Sequence, residues 1–162
     1  TKGNHGHSTI TVDDSRFKVD ATAPIIDFTE NPVPEATVDL TPVYGGRLKS
    51  AHRKFIKDTD HSITIEDRLV LQDTTKSLTW ALMTTAEVIP LPDGAILKQD
   101  DKELILKIYS PAGVRISTIM MDPPPLKLDR RISGLKRIEI RVPAYHLDKG
   151  EGYIKVRLTA PE

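Results

Sequence analysis

Apolar and polar residues alternate with a period of two along much of this chain. Phe17, Val19, Ala21 and Ala23 share one parity, with Lys18, Asp20 and Thr22 on the other. Ala36, Val38 and Leu40 alternate with Thr37, Asp39 and Thr41. Ile138, Ile140 and Val142 alternate with Arg137, Glu139 and Arg141, and Ile154, Val156 and Leu158 with Lys155, Arg157 and Thr159. Successive side chains of an extended backbone point to opposite faces, so each run predicts a strand with one buried and one wet face. Antiparallel sheets have such faces; parallel sheets are usually covered on both sides. Turn-forming clusters separate the runs: "DDSR" at 13–16, "YGG" at 44–46, "DTDHS" at 58–62, "PDG" at 92–94, "QDDKE" at 99–103, "SPAG" at 110–113 and "DKGEG" at 148–152. The most helix-like stretch, "TTAEVIPLP", is stopped by Pro90 and Pro92, which cannot donate to a helical ladder. Residues 121–136, "MDPPPLKLDRRISGLK", read as a long surface crossover between sheets or sheet edges. The expected fold is all-β: an antiparallel, supersandwich-like β-sandwich of two packed sheets, without substantial helix, forming a single domain over residues 1–162.

Composition narrows the function classes. A chain of 162 residues buries roughly 70% of its unfolded surface and carries a real core. Hydrophobic residues are 38% and charged residues 28%, a globular balance and not a disordered one. Formal net charge is zero and no basic run stands out, so nucleic acid is not an expected partner. No apolar run reaches the length of a membrane span. The absence of cysteine removes disulfides and thiolate metal sites.

Catalytic signatures are missing: there is no G-x-S-x-G elbow, phosphate loop, H-E-x-x-H or dinucleotide fingerprint. The sharpest feature is "GNHGHSTITVDD", where His5 and His7 stand two apart. On an extended chain both imidazoles point to one side and could approach one divalent cation, with further ligands from elsewhere. The plainer alternative is a terminal His5 and a strand-start His7 bonded to a neighbour. Tyr145 and His146 could act as an acid/base pair only from a loop, since strand neighbours face opposite ways; a strand-end tyrosine beside an exposed histidine is the expectation. Trp80 shares its parity with Leu78 and Leu82, which places it in the core. His52 and His61 have no identifiable partner.

Two charges sit on apolar faces. Arg53 lies between Ala51 and Phe55, and Asp67 among Ile63, Ile65, Leu69 and Leu71. A hairpin closed symmetrically about Asp60, with "TDH" or "DTDHS" as its loop, sets Phe55 opposite Ile65, Ala51 opposite Leu69 and Arg53 opposite Asp67. An unpaired buried charge is costly, so the expectation is a structural ion pair between Arg53 and Asp67.

Three segments carry a resemblance. "HSTITVDDSRF", from His7 to Phe17, resembles the "H-N-T-L-x-I-D-G" segment of the heparinase II/III-like polysaccharide lyases. "AHRKFIKDTDHSITIEDRLVLQD" resembles the hairpin that follows it there, and "KSLTWALMTTAEV" the next strand, where a tryptophan precedes a short apolar run. The pattern spans about residues 5 to 90. It departs at Ser8, where the family has asparagine, and at Asp14, where it has glycine.

The resemblance implies an expected role. Such lyases have a large helical toroid followed by a C-terminal antiparallel β-sandwich, with substrate in the cleft between them. They cleave acidic polysaccharide by β-elimination: a base takes the C5 proton of a uronic acid, a neutralising group damps the carboxylate, and an acid protonates the leaving oxygen. An asparagine and a tyrosine of the toroid act with a histidine early in the β part, and of these only His7 carries over. The chain is therefore expected to be a C-terminal module, inactive alone, whose partners are the N-terminal helical toroid and an acidic polysaccharide. No cofactor is expected in this chain itself. In the full-length enzyme a structural divalent metal such as zinc would use His7, and less readily His5. The compartment implied is the periplasm or exterior of a bacterium. The alternatives are a stand-alone carbohydrate-binding or structural interaction sandwich; with 5% aromatic residues, several at core parity, a sugar platform is less well served.

Overall fold

The computed structural model describes residues 4–127, 129–147 and 150–161. Twelve strands form two antiparallel sheets. The smaller has the order β1 (Ile10–Val12), β6 (Ser77–Thr84), β11 (Lys136–Pro143), β10 (Ile116–Met120). The larger runs β2 (Ile25–Thr29), β3 (Glu35–Asp39), β4 (Leu48–Thr59), β5 (Ser62–Leu71), β12 (Glu151–Thr159), β9 (Lys102–Ser110), β8 (Gly94–Gln99), β7 (Glu87–Leu91). The helical content of the described residues is three 3-10 turns, at Asn4–Gly6, Thr41–Tyr44 and Ala144–His146.

The sheets close on one core. Ile10, Val12, Leu78, Trp80, Ile140 and Val142 of the smaller sheet face Leu69, Leu71, Leu106, Ile154 and Val156 of the larger, all essentially buried. Burial of this kind contributes about 25 cal/mol per Å² of apolar surface removed from water. β11 and β12 follow the period-two pattern because each lies inside its sheet beneath the other layer. Gly94, in the "PDG" turn, opens β8 against β9. A Cβ there would run into the Leu106 carbonyl, so only glycine allows the approach.

Several expectations are corrected. Residues 17–23 form no strand: they are coil and turn, with Asp20 at φ 67°. Phe17 packs on the core while Val19 stands in solvent. β3 is half-buried along its whole length and does not alternate; it lies next to the edge strand of the larger sheet. Residues 121–136 are not a crossover. Residues 121–135 are a long loop joining β10 to β11, which are adjacent antiparallel strands, and Lys136 begins β11. Leu128 of that loop, and Asp148 and Lys149 of "DKGEG", lie outside the described residues. "TTAEVIPLP" contains β7, an edge strand where Pro90 leaves no ladder unpaired.

Candidate functional site

The β4–β5 hairpin places the first pair of charges. Its register sets Ala51 against Leu69, Arg53 against Asp67 and Phe55 against Ile65. The connection is two residues, Asp60 and His61, and a shift between Ile56 and Thr59 restores the symmetry about Asp60. Both charged side chains then point between the sheets. Arg53 Nε donates to Asp67 Oδ1 at 2.7 Å and Nη2 to Oδ2 at 2.9 Å, a two-bond fork. Asp67 is fully buried and Arg53 almost so. Burial pushes the Asp67 carboxyl up, and the Arg53 charge and hydrogen bonds pull it back. The Trp80 indole nitrogen also lowers Asp67, though it makes no well-formed hydrogen bond of its own.

The remaining guanidinium nitrogen ties this pair to the histidine segment. Arg53 Nη1 donates to Ser8 O at 3.0 Å. Nearby, the Tyr44 hydroxyl donates to Ile10 O at 3.1 Å, and burial holds its phenol well above the usual range. The Ser8 hydroxyl accepts the Met83 amide at 3.0 Å.

A second arginine grips the same segment from the far side of the smaller sheet. The alternation assigns Arg137 to a wet face; the structure corrects this, because the turn at Asn4 and His5 lies against that face and Arg137 is only 2% exposed. Arg137 Nη1 donates to His5 O at 2.7 Å and Nε to Glu139 Oε1 at 2.6 Å. Asn4, also buried, donates to Ser15 O at 2.7 Å and to Thr11 Oγ1 at 3.2 Å, leaving its own carbonyl oxygen without a partner. Sequence reasoning missed both Arg137 and Asn4. Arg137 carries no local signal because the His5 carbonyl it meets is 132 residues away, and Asn4 carries none because its partners Thr11 and Ser15 reach it only through the fold of the opening segment.

The histidines themselves stay outside. His5 lies in the 3-10 turn Asn4–Gly6, and the strand begins only at Ile10, so the two residues are not successive positions on one strand face. Both are exposed. Among the described residues no three His, Asp or Glu side chains gather to hold a metal. His7 stands exposed between two residues, His5 and Ser8, whose carbonyls accept arginine hydrogen bonds. Tyr145 and His146 sit together in a 3-10 turn, their rings 4.6 Å apart, both in solvent and away from this segment. Trp80 is a core residue.

An antiparallel β-sandwich with a buried arginine on each side of its opening segment is therefore the class that the fold and site define. The sequence matches no family model and no curated protein. Its fold has close counterparts among solved structures. Over 97% of this chain it follows 24% of the heparan sulfate lyase HepC from Pedobacter heparinus, with a TM-score of 0.72 and 13% identity. Over 98% it follows 24% of a heparinase III, with a TM-score of 0.73 and 11% identity. The chain spans about a quarter of the length of the enzymes whose fold it shares.

Proposed function

We propose that this chain is the C-terminal β-sandwich module of a heparinase II/III-like polysaccharide lyase that acts by β-elimination on a uronic-acid-containing polysaccharide. The observation that carries the reading is the fold match along nearly the whole chain to one quarter of a heparan sulfate lyase. The motif resemblance of His7–Phe17 and the two following segments supports it independently of shape.

In this reading the module shapes the substrate cleft, and a helical toroid supplies the asparagine and tyrosine of the chemistry. His7 reaches outward from a backbone fixed by Arg53 and Arg137, which suits a group that must meet partners on another domain. There it would offer its imidazole to a structural divalent metal such as zinc, with the other donors from outside this chain and His5 as a weaker candidate. The exposed apolar side chains of β2, Ile25, Ile26 and Phe28, support a docked neighbour. An enzyme of this kind would work in the periplasm or outside a bacterial cell.

Two experiments test the reading. The reading frame that encodes the chain should also encode a helical domain upstream of Thr1; a frame whose start codon lies just before Thr1 would defeat the modular assignment. The purified chain, mixed with heparan sulfate or alginate, should yield no unsaturated uronate by ultraviolet absorbance. Clear turnover would show that the sandwich carries its own chemistry.

A further inference from the structure

One surface hollow is ringed by cations that have no counter-ions among the described residues. It encloses about 350 Å³ and is lined by Arg16, Phe17, Lys18, Tyr44, Gly45 and Arg47. Two segments build it: the coil after β1, and the chain leaving the 3-10 turn Thr41–Tyr44. The Lys18 amide donates to Val43 O at 2.8 Å and holds the segments side by side. Gly45 is left-handed at φ 58°, and the Lys18 stem lies against it. Phe17 and Tyr44 meet edge to face with centroids 5.5 Å apart, giving the hollow an apolar wall.

Three carboxylates near these residues are committed elsewhere, and Asp20, two residues past Lys18, makes no ion pair with it. Asp13 Oδ1 accepts the amides of Lys76 and Ser77 at 2.9 and 2.8 Å. Asp14 takes Arg141 at 2.9 Å, and Asp73 takes Lys49 at 3.1 Å. Among the described residues Arg16, Lys18 and Arg47 have no carboxylate partner. Three uncompensated cations around one concavity, on a chain of zero formal net charge, create a local positive field that an anion relieves. Guanidinium groups match oxyanions with paired, parallel hydrogen bonds.

We propose that Arg16, Lys18 and Arg47 bind the oxyanion of an anionic ligand, a sulfate ester or a carboxylate, with the ligand's carbon framework against Phe17. The site stands on charge and shape alone; that a sugar carries the oxyanion rests on the lyase reading.

The test is an amide NMR titration of the chain at constant ionic strength with three probes: inorganic sulfate, a sulfated heparan oligosaccharide and an unsulfated oligouronate. Shifts should concentrate at Arg16–Lys18 and Tyr44–Arg47. The oligosaccharide should bind roughly tenfold more weakly to the R16Q/K18Q/R47Q variant. Should that variant fold poorly, R47Q alone, altering an exposed side chain, should still weaken binding. Preference for the sulfated over the unsulfated sugar would identify a sulfate site, and the reverse a carboxylate site. Binding of inorganic sulfate without either sugar would support the oxyanion site and remove the sugar as its carrier. Shifts centred elsewhere, affinity unchanged by the substitutions, or no binding of any probe would overturn the proposal, whatever the reading frame shows about a lyase.

Discussion

Arg53 and Asp67 are charges on faces that the sandwich closes over, and each is tolerable only because the other is there. Desolvating both is costly, and their attraction with two hydrogen bonds largely offsets that cost. The pair therefore fixes register more than it adds stability. Replacing Asp67 alone with alanine should cost about 3–5 kcal/mol in urea denaturation, because it strands the guanidinium. The double change Arg53→Met with Asp67→Leu should cost less than either single change; a double variant as unstable as the sum of both would contradict this account. A second residue-scale prediction concerns the outer face of the larger sheet. Burial pushes Glu66 up, but hydrogen bonds from Lys155 and Tyr153 and the Lys155 and Arg68 charges outweigh it, so its carboxyl sits below its ordinary value of 4.5. A lowered folded pKa adds stability above the unfolded value, which is lost as pH falls through the folded one. Lys155, raised above its ordinary 10.5 chiefly by its hydrogen bond to Glu66, contributes below that value and loses its share as pH rises through the raised one. Stability should be level across neutral pH with a loss at the acid end, and Glu66→Gln should flatten that acid limb in denaturation series.

Among the elements, the strands that obey period two are those with a layer above them. β11 and β12 do, while β3 shows the same sequence pattern without the burial. β2 goes further: at the open edge of the larger sheet it exposes Ile25, Ile26 and Phe28 to water. An exposed apolar edge is a template for association unless something covers it. Ile26→Lys with Phe28→Ser should change unfolding free energy by no more than about 0.5 kcal/mol per site, since neither side chain is in the core. The same variant should lower self-association in light scattering. A large loss of stability would mean that β2 is held by its own apolar groups, contrary to their exposure.

The whole molecule is a two-layer sandwich whose opening segment runs along β6 at Ser8 and Thr9 and sets Asn4 and His5 against the outer face of the smaller sheet. Two arginines from different sheets end on this segment's carbonyls, Arg53 on Ser8 and Arg137 on His5. A chain starting at Thr9 should lose both acceptors and the cover over Arg137. Its unfolding free energy should fall by about 2–4 kcal/mol, and hydrogen exchange should quicken in β1 and β11. An unchanged midpoint would show that the segment rests on the sheet without supporting it.

Alternation, turn chemistry and the absence of helix-forming stretches determined the all-β class, and the parity of apolar positions around Asp60 was enough to oppose Arg53 to Asp67. Those properties are local: they depend on which face a residue takes and on where a hairpin closes. Tertiary structure alone decided which strands would be covered, which is why residues 17–23 are coil and the loop at 121–135 joins neighbours. It also decided that Arg137, polar by pattern, would be buried, and that Arg16, Lys18 and Arg47 would surround one hollow. These outcomes depend on contacts between segments distant in sequence, and no period within one segment encodes what another will lay over it.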